Sequence, residues 1–314
     1  MCRIRGWTPL SIDEVVKSAH VVSAHQESCD TKPCATKIIA GVLIRATTVY
    51  CGRGFNGLVG DGTGPIKGNV VPDSTLPYSR LKTLFLDAGN TIVEMKLGYI
   101  ASALKREGVK CDLADLRRAE AAARPVVSAA LPRLRSTEAI GAFEFYIREM
   151  LLRTPMTPAP GAEKVLRFAH DMVPLLDRIG RVKFWGSVIP GTREALVAFR
   201  DRGLRLVVVS NSDGTVEDLL TDVGLRDFFD AVVDSHIVGY EKPNPKIFLH
   251  ALEVVGASAE TTLHVGDLYE ADVVGARAAG VHALLLDPYD DWSTADCERA
   301  VNLTELLRRL SGED

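Results

Sequence analysis

The sequence predicts an α/β fold: a doubly wound parallel sheet with a helical cap domain inserted after the first strand. Three observations carry this prediction. Short apolar runs recur from residue 83 to residue 287, most ending on an acid or a hydroxyl. Runs of this kind suit strands buried on both faces. Helical patterns separate most of them, and strands alternating with helices imply a parallel sheet. One long interval, Thr91 to Pro190, holds helical patterns and no clear strand.

Taken in order, residues 1–80 stand apart as an N-terminal extension. They offer a short helical pattern from Ser11 to Ser18 and a strand-like run from Thr36 to Tyr50. The glycine-rich stretch CGRGFNGLVGDGTGPIKGN follows and reads as linker. Its GDGTGPIKG segment misses the G-x-x-x-x-G-K-[ST] spacing of a phosphate-binding loop. The predicted strands are Thr83–Asp87, Leu204–Ser210, Ala231–Asp234, Thr262–Asp267 and His282–Asp287. Helices are expected at Thr192–Arg202, Val216–Val223, Pro245–Val255 and Asp272–Ala279. The long interval adds Leu97–Glu107, Leu113–Ala130, Glu138–Arg153 and Gly161–Ile179, rich in good helix formers. The expected division is therefore a core of residues 81–94 and 187–314, with residues 95–186 as the cap.

Bulk properties narrow the function. A formal net charge of −4 argues against a nucleic-acid footprint. No apolar run is long enough to span a membrane. Four of the six cysteines, Cys2, Cys29, Cys34 and Cys51, fall in the extension, where they would allow a disulfide; none has C-x-x-C spacing. Only Cys111 and Cys297 fall in the rest, which fits a reducing cytoplasm. A cytoplasmic monomer or homodimer is expected.

In an open parallel sheet, ligands bind where the strands end. The residues at those ends are Asp87, Ser210, Asp267 and Asp272, and Lys242 lies in the loop YEKPNP before a helix. Carboxylates gathered at one edge repel one another unless a cation sits between them, and Mg²⁺ prefers such oxygen ligands. Lysine and cation would neutralise a phosphoryl group, and the hydroxyl would donate to it. Each residue also has a structural role open to it. Asp87 would serve as a strand cap, Lys242 as a solvated loop residue and Asp272 as a helix N-cap. His264 and His282 fit strand interiors, and His170 and Trp185 fit helix packing.

The order of these segments resembles the haloacid dehalogenase (HAD) superfamily, in its helical-cap form. The resembling motifs are LFLDAGNT, VVVSNSDG, GYEKPNPKIF and VGDLYEAD, the last followed by VVGARAAGV. The resemblance covers about three quarters of the chain and implies a hydrolase acting on a small phosphorylated metabolite. It implies that Asp87 is a nucleophile that becomes an aspartyl-phosphate, and that the Gly89 carbonyl ligates Mg²⁺. Ser210, with Asn211 beside it, would hold the phosphoryl oxygens, and Lys242 would neutralise charge on Asp87 and the phosphate. Asp267 would ligate the metal. Asp272 would bind it directly, bind it through water, or orient Lys242.

One departure matters. HAD phosphatases usually carry a second Asp two residues after the nucleophile, as general acid and base. This chain has Gly89 there. Three readings stay open: a phosphatase using good leaving groups or an acid from elsewhere, with Glu94 a candidate; a metal-free 2-haloacid dehalogenase type; or a binding or regulatory protein without turnover. The complete G-D-x-x-x-x-D motif favours the first.

Overall fold

The computed structural model describes residues 76–312. The early helix, the early strand, the glycine-rich stretch and four of the six cysteines lie outside the described residues.

The chain enters the sheet with β1 (Thr83–Leu86) and makes a tight turn to β2 (Val93–Glu94). Helices α1 (Gly98–Arg106), α2 (Leu113–Leu134), α3 (Ile140–Arg153), α4 (Ala162–Ile179) and the single turn α5 (Arg181–Phe184) follow. It returns through β3 (Ser187–Val188), then α6 (Thr192–Asp201), β4 (Arg205–Ser210), α7 (Val216–Asp222), β5 (Ala231–Asp234) and the short α8 (Ser235–Val238). It continues through α9 (Pro245–Val255), β6 (Thr262–Gly266), α10 (Gly275–Ala278), β7 (His282–Leu286), β8 (Glu298–Ala300) and α11 (Leu303–Ser311). Six strands form one parallel sheet in the order β5-β4-β1-β6-β7-β8.

Side chains alternate across a strand, and here each face finds its own helices. Leu84, Leu86, Leu206, Val208, Leu263 and Val265 pack towards Leu196, Phe199, Leu220, Leu303 and Leu306. Phe85, Val207, Val209 and Leu285 pack the other way, on Ile247, Phe248, Ala251 and Ala276. All four residues of β1 are buried, as its unbroken apolar run requires. The helices between β2 and β3 have a third core, built on Ile100, Leu104, Leu116, Ile147, Met150 and Phe168.

Four features differ from the sequence reading. Between Thr91 and Pro190, where no strand was expected, β2 and β3 pair antiparallel, Val93 with Val188 and Glu94 with Ser187. Two residues per strand are too few to show alternation. The edge strand β8 is short and charged, which blunts an exposed edge but hides the strand from an apolar search. Helix α2 runs on through Pro132 to Leu134 rather than ending at Ala130. The boundary near residue 80 also moves. Leu76 is buried in the sheet core, its backbone N–H donates to Glu298 Oε1 at 2.7 Å, and the Tyr78 hydroxyl donates to Glu298 Oε2 at 2.5 Å.

Candidate active site

The site forms at the C-terminal ends of β1, β4 and β6, where the strand order places neighbours side by side. Asp87 follows β1, Ser210 ends β4 and Asp267 follows β6. Lys242 reaches in from the loop before α9. That loop is clasped by Asn211, whose Oδ1 accepts from the Lys242 N–H at 2.7 Å and whose Nδ2 donates to the Lys242 carbonyl at 3.0 Å. Asn211 Nδ2 also donates to Thr137 Oγ1 at 2.9 Å. The Asn211 side chain is thus engaged in holding the loop and Thr137.

The Lys242 ammonium donates to Asp87 Oδ1 and to Asp272 Oδ1, both at 2.6 Å, and all three groups are buried. Asp272 sits in a π-turn, Tyr269–Val274, where a regular helix start was expected. That turn brings its carboxylate back over the end of β6. Asp272 Oδ1 also accepts from His264 Nε2 at 2.9 Å, and Oδ2 accepts from the Leu268 N–H at 2.9 Å. Each Asp272 oxygen thus accepts from the protein, and the geometry fits its expected role of orienting Lys242.

His264 is wholly buried, as expected of a strand histidine, yet it belongs to the site. Its ring meets Phe248 edge-on at 4.9 Å. Burial lowers its pKa despite Asp272 beside it, which favours the neutral ring. A carboxylate only accepts, which puts the proton on Nε2. Its Nδ1 has no partner among the described residues.

A second network joins the helices to the sheet. Asp267 Oδ2 accepts from Asn90 Nδ2 at 3.1 Å and lies 3.4 Å from Arg124 Nε. Arg124 grips Glu120 with two bonds, at 2.8 and 2.6 Å. The Tyr146 hydroxyl donates to Glu120 and accepts from Asn90 Nδ2 at 2.9 Å. The sequence reading missed these residues. A signal was present: Glu120 and Arg124 fall in the apolar stripe of α2 with Leu116, Val127 and Leu131. A charged pair in such a stripe is rarely solvated.

Electrostatics follow from this packing. Burial pushes Asp87 up, against the pull of Lys242. Burial pushes Asp267 up to about 8, with Arg124 opposing and Asp272 and Asp87 reinforcing. Burial would also raise Asp272, but Lys242 and His264 outweigh it and hold it well below the usual carboxylate range. Burial works against the Lys242 charge, yet Asp272 and Asp87 keep its pKa above normal. Four buried carboxyl groups (Asp87, Asp267, Asp272, Glu120) face two buried cations (Lys242, Arg124), so with all four ionised the cluster would carry an excess of two negative charges. A divalent cation has the charge to balance it. Among the described residues no three His, Cys, Asp or Glu side chains form a ready-made cage. Mg²⁺ needs none, since one or two carboxylates with water suffice. Asp87 Oδ2 and Asp267 Oδ1 accept no hydrogen bond among the described residues, so the donor set fits a hard cation.

A cavity of about 140 Å³ opens onto this cluster. Asp87, Gly89, Ser210, Asn211, Lys242, Asp267 and Asp272 all line it, so the expected site residues are brought together. Glu94 is not among them. It is held by Arg117 at 2.9 and 3.2 Å and lines a neighbouring cavity, so it is no acid for this site. Trp185, expected in helix packing, also forms part of the cavity wall; His170 does not.

The bovine (Bos taurus) haloacid dehalogenase-like hydrolase domain-containing protein 3 is 44% identical over 100 residues, 32% of this chain and 40% of that protein. Glyceraldehyde 3-phosphate phosphatase of Methanothermobacter thermautotrophicus is 35% identical over 121 residues, 36% of this chain and 54% of that protein. The chain spans roughly half the length of these relatives. The fold is similar to that of a putative HAD-hydrolase from Bacillus subtilis solved with magnesium bound, at a TM-score of 0.50 and 18% identity. That match covers 74% of this chain and 99% of the other. A family model for haloacid dehalogenase-like hydrolases matches residues 81–280, well over half of the sequence, and the chain belongs to that family of hydrolases.

Proposed function

We propose that this hydrolase is a Mg²⁺-dependent phosphatase acting on a small phosphorylated metabolite through an aspartyl-phosphate on Asp87. The observation that carries the reading is the buried Asp87–Lys242–Asp272 chain beside Asp267, with its excess of carboxyl groups over cations. Lys242 holds Asp87 Oδ1; one oxygen of the carboxylate would attack phosphorus while the other faces the cation. Lys242 is fixed by Asp272 and offsets charge on the phosphoryl group. Ser210 lines the same cavity and would donate to a phosphoryl oxygen. Asn211 contributes by fixing the Lys242 loop. Mg²⁺ would be held by Asp87, Asp267 and the Gly89 carbonyl, and would supply charge neutralisation to the phosphate. Asp272 would reach it through water or through Lys242.

The name of the Methanothermobacter relative supports this class, since glyceraldehyde 3-phosphate is a small phosphorylated molecule. The complete motif from Gly266 to Asp272 favours a metal site over a metal-free dehalogenase, so 2-chloropropionate is not expected to react. Cys111 forms no disulfide among the described residues, in keeping with a cytoplasmic protein. Among the described residues no helix is long and apolar enough to cross a membrane. The test is phosphate release from 4-nitrophenyl phosphate. Release should require Mg²⁺, stop with EDTA and be lost in Asp87→Asn. Turnover that survives both treatments would refute the reading.

A further inference from the structure

We propose that Trp185 occupies the place of the missing acid over Asp87, and that the substrate is a phosphate ester of a flat, apolar group leaving as a stable oxyanion. An aryl phosphate is the type. The inference rests on the phosphatase reading and narrows it.

The starting point is why position 89 carries no side chain. Gly89 is not among the glycines with positive φ, so its backbone would accept one. The obstacle is the indole. A Cβ on Gly89 would lie 3.2 Å from Trp185 Cζ3, 3.5 Å from Cη2 and 3.6 Å from Cε3. A side chain at this position would press on the ring, which would have to give by a few tenths of an ångström. The ring is fixed from behind: Phe184 meets it edge-on at 6.1 Å, and Phe143 meets Phe184 edge-on at 6.0 Å.

The rest of the chamber agrees. Beyond the acid cluster its walls are Val127, Leu131, Phe143, Val216 and Leu219. Two further carboxylates reach it, and both are engaged. Asp213 Oδ1 accepts from Thr215 Oγ1 at 2.6 Å, and Glu138 Oε1 accepts from Thr137 Oγ1 at 3.4 Å. The Tyr146 proton is committed to Glu120. The chamber therefore offers a leaving group an aromatic face rather than a proton.

The chemistry selects the substrate. A carboxylate oxygen of Asp87 bonds to phosphorus as the ester P–O bond breaks, and the leaving oxygen keeps the electron pair. A phenolate is stable in that form and takes its proton later from water. An alkoxide is not, and lacking a positioned acid costs roughly 10²–10⁴-fold. Water then attacks the same phosphorus, the Asp87 oxygen–phosphorus bond breaks with its electron pair returning to the carboxylate, the water's proton passes to solvent, and inorganic phosphate leaves.

The experiment compares kcat/KM with Mg²⁺ for phenyl phosphate, cyclohexyl phosphate and glyceraldehyde 3-phosphate, in the wild type and in Trp185→Leu. The wild type should prefer phenyl over cyclohexyl phosphate by roughly 10²-fold or more. Trp185→Leu should raise KM for phenyl phosphate about three- to tenfold more than for cyclohexyl phosphate, the range expected of one aromatic contact. The wild-type comparison stands alone if the variant fails to fold. Cyclohexyl phosphate or glyceraldehyde 3-phosphate turned over within tenfold of phenyl phosphate would overturn the substrate class and leave the phosphatase reading standing. No phosphate from any of the three would overturn both.

Discussion

Gly266 has no room for a side chain. A Cβ there would lie 2.2 Å from Asp272 Cγ and 2.4 and 2.6 Å from its two oxygens. The glycine and the acid of G-D-x-x-x-x-D are thus one device: the first leaves the space that the last fills, under Lys242. Gly266→Ala should push Asp272 aside and misplace the Lys242 ammonium. We expect a loss of kcat of about 10²-fold and a destabilisation of about 1–3 kcal/mol, measured by steady-state kinetics and urea denaturation. An unaltered kcat would show that Asp272 does not position Lys242. The motif was legible in the sequence as a spacing; its steric reason was not. His264 was half legible. It shares a strand face with Gly266, two residues on, but only the π-turn reveals that Asp272 lies against that face. Asp267 gives a pH prediction. Burial lifts its pKa from 3.8 to about 8, so the folded metal-free chain keeps a proton there that the unfolded chain has lost. That term makes the metal-free fold less stable as pH rises through this window. Mg²⁺ competes with the same proton, so its affinity should rise roughly tenfold per pH unit below about 8 and then level off. The gain in Tm on adding Mg²⁺ should be larger at pH 8 than at pH 6; an equal or smaller gain at pH 8 would contradict this.

At the scale of elements, α2 does more than cover the sheet edge. It brings Arg124 and Glu120 into the protein interior and sets Arg124 beside Asp267. Removing one partner of a buried ion pair leaves the other charged and dry. Arg124→Met should therefore cost about 3–5 kcal/mol of stability in denaturant unfolding. A loss below 1 kcal/mol would mean that water reaches Glu120 and Asp267 freely. The main strands were legible as unbroken apolar runs buried on both faces, and the helices as patterns of good helix formers several residues long. Pro245–Val255 was read to the residue, helped by Pro at its start and Asn244 as its cap. β2, β3 and β8 were not legible: two or three residues cannot display a period, and their stability comes from their partners. The Arg124–Glu120–Tyr146–Asn90 network was hidden for a related reason. Its members lie in three separate segments, and only the packing of α2 and α3 on the turn after β1 joins them.

At the scale of the whole molecule, the sheet order decides what meets. Placing β1 between β4 and β6 gathers Asp87, Ser210 and Asp267, from segments far apart in sequence, at one edge. The convergence was legible because parallel strands that alternate with helices present the same ends on one side. The N-terminal boundary was less so. Leu76 and Tyr78 carry no motif, yet they dock on the sheet and on Glu298. A chain starting at Lys82 should lose about 2–5 kcal/mol against one starting at Asp73, the cost of removing a buried leucine and its contacts. Equal urea midpoints for the two would place the boundary back at residue 80. The central claim is that Asp87 takes the phosphoryl group. Rapid acid quench during turnover of 4-nitrophenyl phosphate, followed by peptide mass spectrometry, tests it most directly. The account predicts a phosphoryl group on Asp87, formed only with Mg²⁺ and absent in Asp87→Asn. A phosphoryl group on another residue, or undiminished turnover in Asp87→Asn, would contradict it.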